Sequence, residues 1–250
     1  MSDNQHAITS SSNGNTIDYV FRVGGEGGEG VISTGEMLAV ALARAGFEIY
    51  TFRTYPAEIK GGHANYQVRA SGKLLLSSGA AVDVLLAFNE EAYQKHVNDV
   101  HPGGVVIYDA DSFTPPADNT RIYYAVPLTS LATEKIGVKL TKNIISLGVC
   151  AQLFDLPQDT FQELLRDKFT RKGEAVVSKN LQALQVGIDY VKGIEKLDTV
   201  KMGRGPREAR ELVLSGNESL SLGAIAAGCR IYAGYPITPA SDIMEFLAKE

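Results

Sequence analysis

Val23-Gly24-Gly25-Glu26-Gly27-Gly28-Glu29-Gly30-Val31 places five glycines between an apolar run and a helical pattern. Before it, Asp18 to Val23 is a short apolar, β-branched run that reads as a strand. After it, Ile32, Met37, Leu38, Val40, Ala41 and Leu42 recur at helical spacing between Val31 and Ala45, and Gly46 supplies a stop. Phe47 to Phe52 is again strand-like. Strand, glycine turn, helix and strand in that order define an α/β unit, and the two strands are expected to form a parallel pair.

The rest of the chain continues the alternation. Arg53 to Gly62 is a loop carrying Pro56 and the pair Gly61-Gly62, and Ala64 to Ala70 alternates as a strand. Val82 to Phe88 is an apolar run interrupted only by Asp83, as for a strand covered on both faces. Glu90 to Val100 reads as a helix, and Gly104 to Tyr108 and Tyr123 to Val126 read as strands. Thr141 to Leu153, Gln158 to Phe169 and Lys179 to Glu195 read as helices, with Pro157 between the first two. Lys196 to Arg210 has linker composition, and its basic residues Lys201, Arg204, Arg207 and Arg210 read as a solvated linker or as a patch for an acidic partner. A new strand is expected near Glu211, then a helix, a second strand, a turn and the start of another helix. The organisation is thus a polar flexible tail over 1–16, an α/β domain over 17–195, a linker over 196–210 and the start of a second domain over 211–250. About 40 residues do not close a core by themselves. The second domain is therefore expected to be completed elsewhere, or the chain to be a fragment.

Composition narrows the function classes. Of 250 residues, 44% are hydrophobic and 21% charged, as in ordinary soluble globular proteins. A formal net charge of -5 argues against nucleic acid as the main partner. No apolar run approaches the roughly 18 residues of a membrane span. Residues 1–16 lack the positive start and apolar centre of a secretory signal, so a cytoplasmic setting is expected. Cys150 and Cys229 stand far apart and form no Cys-x-x-Cys pattern, so the chain itself supplies no iron–sulfur or metal site of recognisable spacing. Each cysteine is expected to be a small buried residue. His63 reads as a strand-end histidine, and His96 and His101 are assigned no role.

Two motifs carry candidate chemistry. Gly25-x-Gly27-x-x-Gly30 matches a dinucleotide fingerprint between a strand and a helix, where glycines allow close approach and free amides bind phosphate. The following strand ends Thr51-Phe52-Arg53 without the acid that would hold ribose hydroxyls, although Arg53 suits a 2′-phosphate. Glu26 and Glu29 would repel a phosphate unless they point away. From the residues alone a nucleotide, another phosphorylated ligand and a purely structural turn all stay open. The second motif is Gly234-Tyr235-Pro236-Ile237-Thr238-Pro239-Ala240-Ser241, in which two prolines stiffen a turn and present one hydroxyl beside a helix start near Asp242. A rigid strand-to-helix connection would look the same.

The second motif, with Ser215-Gly216-Asn217-Glu218 and Leu222-Gly223-Ala224-Ile225-Ala226-Ala227-Gly228 ahead of it, resembles the start of the alpha subunit of 2-oxoacid:ferredoxin oxidoreductases. Val23 to Gly35, Glu58-Ile59-Lys60-Gly61-Gly62, Asn65-Tyr66-Gln67-Val68-Arg69 and Asp83-Val84-Leu85-Leu86-Ala87-Phe88-Asn89 resemble the gamma domain of the same family. Gamma fused ahead of alpha is the order of the two-subunit members, typically acting on 2-oxoglutarate. The resemblance implies a Rossmann-like gamma domain followed by the start of a thiamine-diphosphate pyrimidine-binding α/β domain.

The implied reaction is decarboxylation of a 2-oxoacid on thiamine diphosphate, with electrons passing through an iron–sulfur cluster to ferredoxin and the acyl group passing to coenzyme A. Thr238 is then the hydroxyl that meets the substrate carboxylate, with Tyr235 lining the substrate and Pro236 and Ile237 the cofactor. Gly25, Gly27, Gly28, Gly30, Lys60 and Gly61 are placed at the coenzyme A phosphates. The resemblance implies that Mg2+ and a 4Fe-4S cluster belong to a beta subunit, which shares the thiamine diphosphate, and that the enzyme is a dimer of alpha–beta pairs. It also implies that the glutamate activating the aminopyrimidine lies beyond position 250, and Ser241 is expected to cap a helix. Ala240 departs from the serine of many relatives without touching anything central. A nicotinamide-dependent reductase and a non-catalytic assembly module are the rival readings.

Overall fold

The computed structural model describes residues 17–54, 61–194, 201–207 and 213–250. The chain divides into two compact units, Met1–Arg210 and Glu211–Glu250. The first is built on a six-stranded sheet of order β2-β3-β1-β4-β5-β6. Its strands are β1 (Asp18–Glu26), β2 (Glu48–Thr54), β3 (His63–Ser71), β4 (Val82–Ala87), β5 (Val100–Asp109) and β6 (Ile122–Val126). Between and after them come α1 (Val31–Arg44), α2 (Glu90–His96), the single turn α3 (Leu128–Ser130) running into a π-helical segment Leu131–Ile136, α4 (Lys142–Leu153), α5 (Gln158–Phe169) and α6 (Glu174–Lys192).

The parallel β1–β2 pair expected from the sequence is not formed. β1, β4, β5 and β6 are parallel neighbours, but β3 inserts between β1 and β2 and runs antiparallel to both. Burial explains the order. β3 buries Ala64, Tyr66, Gln67, Val68, Ala70 and Ser71 and so belongs inside the sheet. β2 leaves Tyr50 and Phe52 exposed and takes the edge. The helix expected over Glu90 to Val100 stops at His96, because Val97–Asp99 tighten into a 3-10 turn and Val100 already opens β5. The segment 128–136 escaped the sequence reading.

Alternation along the central strands sends side chains to two cores. Phe21, Val23, Val84, Leu86 and Ile107 meet Leu38 and Leu42 of α1, Ile145 and Val149 of α4 and Leu184 and Ile188 of α6. On the opposite face Val20, Leu85 and Val106 meet Ala92 and Tyr93 of α2. Phe21 and Phe154 pack edge to face with centroids 5.3 Å apart, a geometry worth ~0.5–1.5 kcal/mol beyond buried area.

The expected solvated linker is tied down where it is described. Met202 is buried and its N–H donates to Phe154 O at 2.8 Å. Gly205 N–H donates to Ala45 O at 2.8 Å, and Arg207 pairs with Glu48 at 2.9 Å. The second unit comprises α7 (Gly216–Ala226), opened by a reciprocal Ser215–Glu218 capping box, and α8 (Ser241–Lys249). The strand expected near Glu211 starts outside the described residues. The strand expected ahead of the proline turn is not formed: among the described residues 213–250 there is none, and no ladder partner lies beside 229–237 to satisfy an extended backbone. No helix among the described residues is long and apolar enough to cross a membrane.

Candidate functional site

α1 leaves β1 toward one face of the sheet and α2 leaves the adjacent β4 toward the other. The crevice between the carboxyl ends of β1 and β4 is therefore the switch point at which open α/β sheets bind ligands. The glycine stretch forms one wall of it. Gly24 and Gly25 still belong to β1, Gly27 N–H donates to Gly62 O at 2.8 Å, and Gly30, at φ 87, is the N-cap of α1. No side chain caps α1 and its first turn carries no acid, so its leading amides are open to an anion.

Glu29 does not face outward as a repelling charge. Its Oε2 accepts from Glu26 N–H at 2.8 Å and from Asn89 Nδ2 at 2.8 Å, and its Oε1 accepts from Lys142 Nζ at 2.6 Å. Lys142 is 4% exposed and lies 5.2 Å over the Phe88 ring. Two glycines make room for this arrangement. A Cβ on Gly25 would stand 2.9 Å from Glu29 Oε2 and 2.8 Å from Val31 Cγ2, and one on Gly30 would stand 2.9 Å from Asn143 Nδ2. Gly25→Ala is accordingly expected to displace the Glu29 carboxylate and lower the thermal midpoint by about 2–6 °C, read by calorimetry.

Beside the loop lies a cavity of about 490 Å³. Glu26, which does not turn away from the cavity as Glu29 does, lines one side with Gly27, Gly28, Gly30 and the first turn of α1, and Lys168 and Phe169 at the end of α5 with Lys172 of the following 3-10 turn line another. Exposed Val138 and Leu140 sit at its apolar part. An uncapped helix start, two lysines against the single carboxylate of Glu26, and apolar Val138 and Leu140 in one lining suit a phosphorylated ligand with an apolar portion. The structure thus gathers Gly27, Gly28 and Gly30 of the sequence candidates around one cavity. Gly25 lies beneath Glu29, and Gly61 lies beside Glu26, whose Oε1 would be 3.0 Å from an added Cβ. Lys60 falls outside the described residues. Sequence reasoning missed Lys168, Lys172 and the Glu29–Lys142 pair, because an i,i+4 lysine pair reads as a solvated helix face and Lys142 lies far from Glu29 in sequence. Arg53, the candidate for a 2′-phosphate, pairs with Glu36 at 3.2 Å.

On the α2 side, His63 Nε2 and His96 Nε2 are 2.8 Å apart and Arg22 reaches His96 Nδ1 at 3.2 Å. Arginine only donates, so His96 Nδ1 accepts and its Nε2–H donates to His63; the His63 proton then sits on Nδ1, which is buried without a partner. Burial first, then Arg22 and His63, lowers the His96 pKa from 6.5 to about 4, while Asp99 acts oppositely. Burial and Lys95 lower that of His63, against Glu91. Unfolded His96 binds its proton near pH 6.5 and folded His96 only near 4, so the unfolded state binds more protons between them. Stability is expected to be full above about pH 6.5 and to fall toward pH 4, by on the order of 1–3 kcal/mol, with a flatter thermal-midpoint profile for His96→Gln. Cys150 is buried, as expected, and burial pushes its thiol up to about 12. Cys229, expected to be buried, is exposed, in a stretch that forms no helix or strand.

In the second unit, Tyr235, Pro236, Ile237 and Thr238 are all exposed on one turn. Asn217 Nδ2 donates to Pro239 O at 2.9 Å and Ser241 N–H to Ile237 O at 2.9 Å, which fixes the turn to α7 and α8. Ser241 is the first residue of α8 rather than its cap; Ala240 occupies that position without a side-chain bond.

The fold is that of a mixed α/β unit with a cavity beside the uncapped start of α1. Residues 20–190 match the model of the family described as pyruvate ferredoxin/flavodoxin oxidoreductase, and the chain belongs to that family. It is 30% identical over 270 residues to 2-oxoglutarate oxidoreductase subunit KorA of Mycobacterium tuberculosis, covering 93% of this chain and 41% of that one. Among solved structures it resembles the 2-oxoglutarate:ferredoxin oxidoreductase of Magnetococcus marinus, solved with 2-oxoglutarate, coenzyme A and succinyl-CoA bound. The identity there is 39% and the TM-score 0.84, over 93% of this chain and 41% of that chain. A keto/oxoacid ferredoxin oxidoreductase gamma subunit from Geobacter sulfurreducens matches 70% of this chain and 99% of its own, at 27% identity and TM-score 0.59. The chain thus spans about two fifths of the longer relatives.

Proposed function

We propose that the chain is part of the alpha subunit of a thiamine-diphosphate-dependent 2-oxoacid:ferredoxin oxidoreductase, with 17–195 as its gamma domain, 196–210 as the connection and 211–250 as the beginning of its pyrimidine-binding domain. The reaction is the reversible oxidative decarboxylation of 2-oxoglutarate to an acyl-coenzyme A, with electrons passing to ferredoxin. The observation that carries the reading is the cavity at the uncapped start of α1, faced by Lys168 and Lys172. The phosphates of coenzyme A are held there and its apolar arm lies toward Val138 and Leu140. The choice of 2-oxoglutarate is supported by the names of the mycobacterial and Magnetococcus relatives.

The exposed turn fits thiamine diphosphate as one wall of a shared site: apolar Pro236, Ile237 and Pro239 and the hydroxyls of Tyr235 and Thr238, with no cationic group for a pyrophosphate among Tyr235–Pro239. The cofactor, when bound, stabilises the carbanion left by decarboxylation. Thr238 donates its hydroxyl to the substrate carboxylate, Tyr235 orients the substrate, and Pro236 and Ile237 exclude water from the cofactor ring. The pyrophosphate, Mg2+ and the 4Fe-4S cluster are assigned to a beta subunit, in a dimer of alpha–beta pairs that hands electrons to ferredoxin. A nicotinamide dinucleotide is disfavoured, since Glu29 fills the crevice and Arg53 is engaged. Calorimetric titration of coenzyme A into the chain tests the reading. Saturable one-site binding, competed by adenosine 3′,5′-bisphosphate, is expected; heat of dilution alone would overturn the cavity assignment.

A further inference from the structure

A phosphate-binding switch point usually leaves its donors free for the ligand. Here three donors at that point converge on a carboxylate of the chain itself: Glu26 N–H, Asn89 Nδ2 and Lys142 Nζ, all on Glu29 at 2.6–2.8 Å. They come from β1, from the N-cap of α2 and from the first turn of α4, so one side chain joins the three elements that bound the crevice. Asn89 is fixed in turn, its Oδ1 accepting from Ala92 N–H at 2.9 Å. Lys142 is buried with a second carboxylate, Asp109, at 3.9 Å, which Thr129 Oγ1 holds at 2.7 Å. Gly25 has no side chain where the Glu29 carboxylate folds back.

We infer that Glu29 is a positioning residue acting as an internal anion. It takes the place a ligand phosphate has in a nucleotide-binding crevice, closes that crevice, and holds Gly27–Gly30 so that the α1 amides face the neighbouring cavity. The loop is thereby ordered before ligand arrives, which lowers the ordering cost of binding. The ligand part of this inference rests on the proposed coenzyme A site; the ordering of the loop does not.

The test uses the whole chain as wild type, Glu29→Ala and Glu29→Gln, each held well below its thermal midpoint. Amide exchange is followed by mass spectrometry, and coenzyme A affinity by calorimetry. For Glu29→Ala, exchange is expected to rise about tenfold in peptides covering 24–34, equivalent to about 1.4 kcal/mol, with α5 and α6 unchanged. Coenzyme A affinity is expected to fall by a similar factor, and added acetate, but not chloride, restores both. Glu29→Gln keeps an oxygen for Glu26 N–H and the side-chain volume. It is expected to fold and to show a smaller rise confined to the same peptides. Unchanged loop exchange, a rise spread evenly over the unit, or loss of affinity that acetate does not restore would each overturn the inference. If wild type binds no coenzyme A the functional reading fails, while the exchange pattern still decides the role of Glu29.

Discussion

Gly187→Ala is expected to destabilise the first unit by about 3 kcal/mol and to lower its thermal midpoint by about 6–12 °C. Helix propensity alone predicts the opposite sign, since alanine is about 1 kcal/mol better than glycine inside a helix. Packing decides against it. α4 and α6 cross with their main chains in contact at a reciprocal pair of glycines. A Cβ on Gly187 would lie 2.0 Å from Ile145 O and 3.0 Å from Val149 N, and one on Gly148 would lie 2.1 Å from Leu184 O. The neighbouring atoms are backbone and cannot rotate away, so the helices must separate along the core that holds Ile145, Val149, Leu184 and Ile188. Gly193→Ala is the control: φ is -85 and the nearest atom stands at 3.5 Å, an ordinary contact. Its midpoint is expected to stay within about 2 °C of wild type.

Charge reversal at Lys168 and Lys172 together is expected to weaken coenzyme A binding by about 10–100-fold. A hydrogen bond to a charged group contributes ~1.5–3 kcal/mol when buried. Both lysines are exposed, so solvent screening reduces each to about 1 kcal/mol before repulsion is added. The wild-type affinity is expected to fall with added salt and that of the double variant to fall less, because the screened attraction has been removed. Lys179→Glu makes half that charge change, the same as Lys172→Glu alone, on α6 outside the cavity lining, and is expected to shift affinity by less than about threefold. Equal losses for Lys172→Glu and Lys179→Glu would show that net charge, not the cavity, governs binding.

The alternation of strands and helices was legible because periodicity reports burial: Val82 to Phe88 is apolar but for Asp83, and Val82–Ala87 becomes β4 between two cores. The insertion of β3 between β1 and β2 was not, since hairpin and crossover connections leave the same local pattern. The strand ahead of the proline turn was read from composition, but a strand exists only with a pairing partner. At the site, the glycines were visible and their reasons were not. Gly25 and Gly30 make room for Glu29 and Asn143, and that clearance follows only from the folded arrangement. Lys142, 113 residues from Glu29, carries no local mark of its partner.

We propose that these residues belong to an enzyme passing electrons from 2-oxoglutarate to ferredoxin with coenzyme A as acyl acceptor. This is tested most directly by following viologen or ferredoxin reduction in the alpha chain assembled with its beta subunit, as wild type and as Thr238→Ala. Reduction is expected to depend on 2-oxoglutarate and to require coenzyme A, with kcat lowered about 100-fold in Thr238→Ala, the scale of removing one hydrogen-bond donor at a reacting centre. Absence of reduction with 2-oxoglutarate, pyruvate and branched 2-oxoacids alike would contradict the proposal.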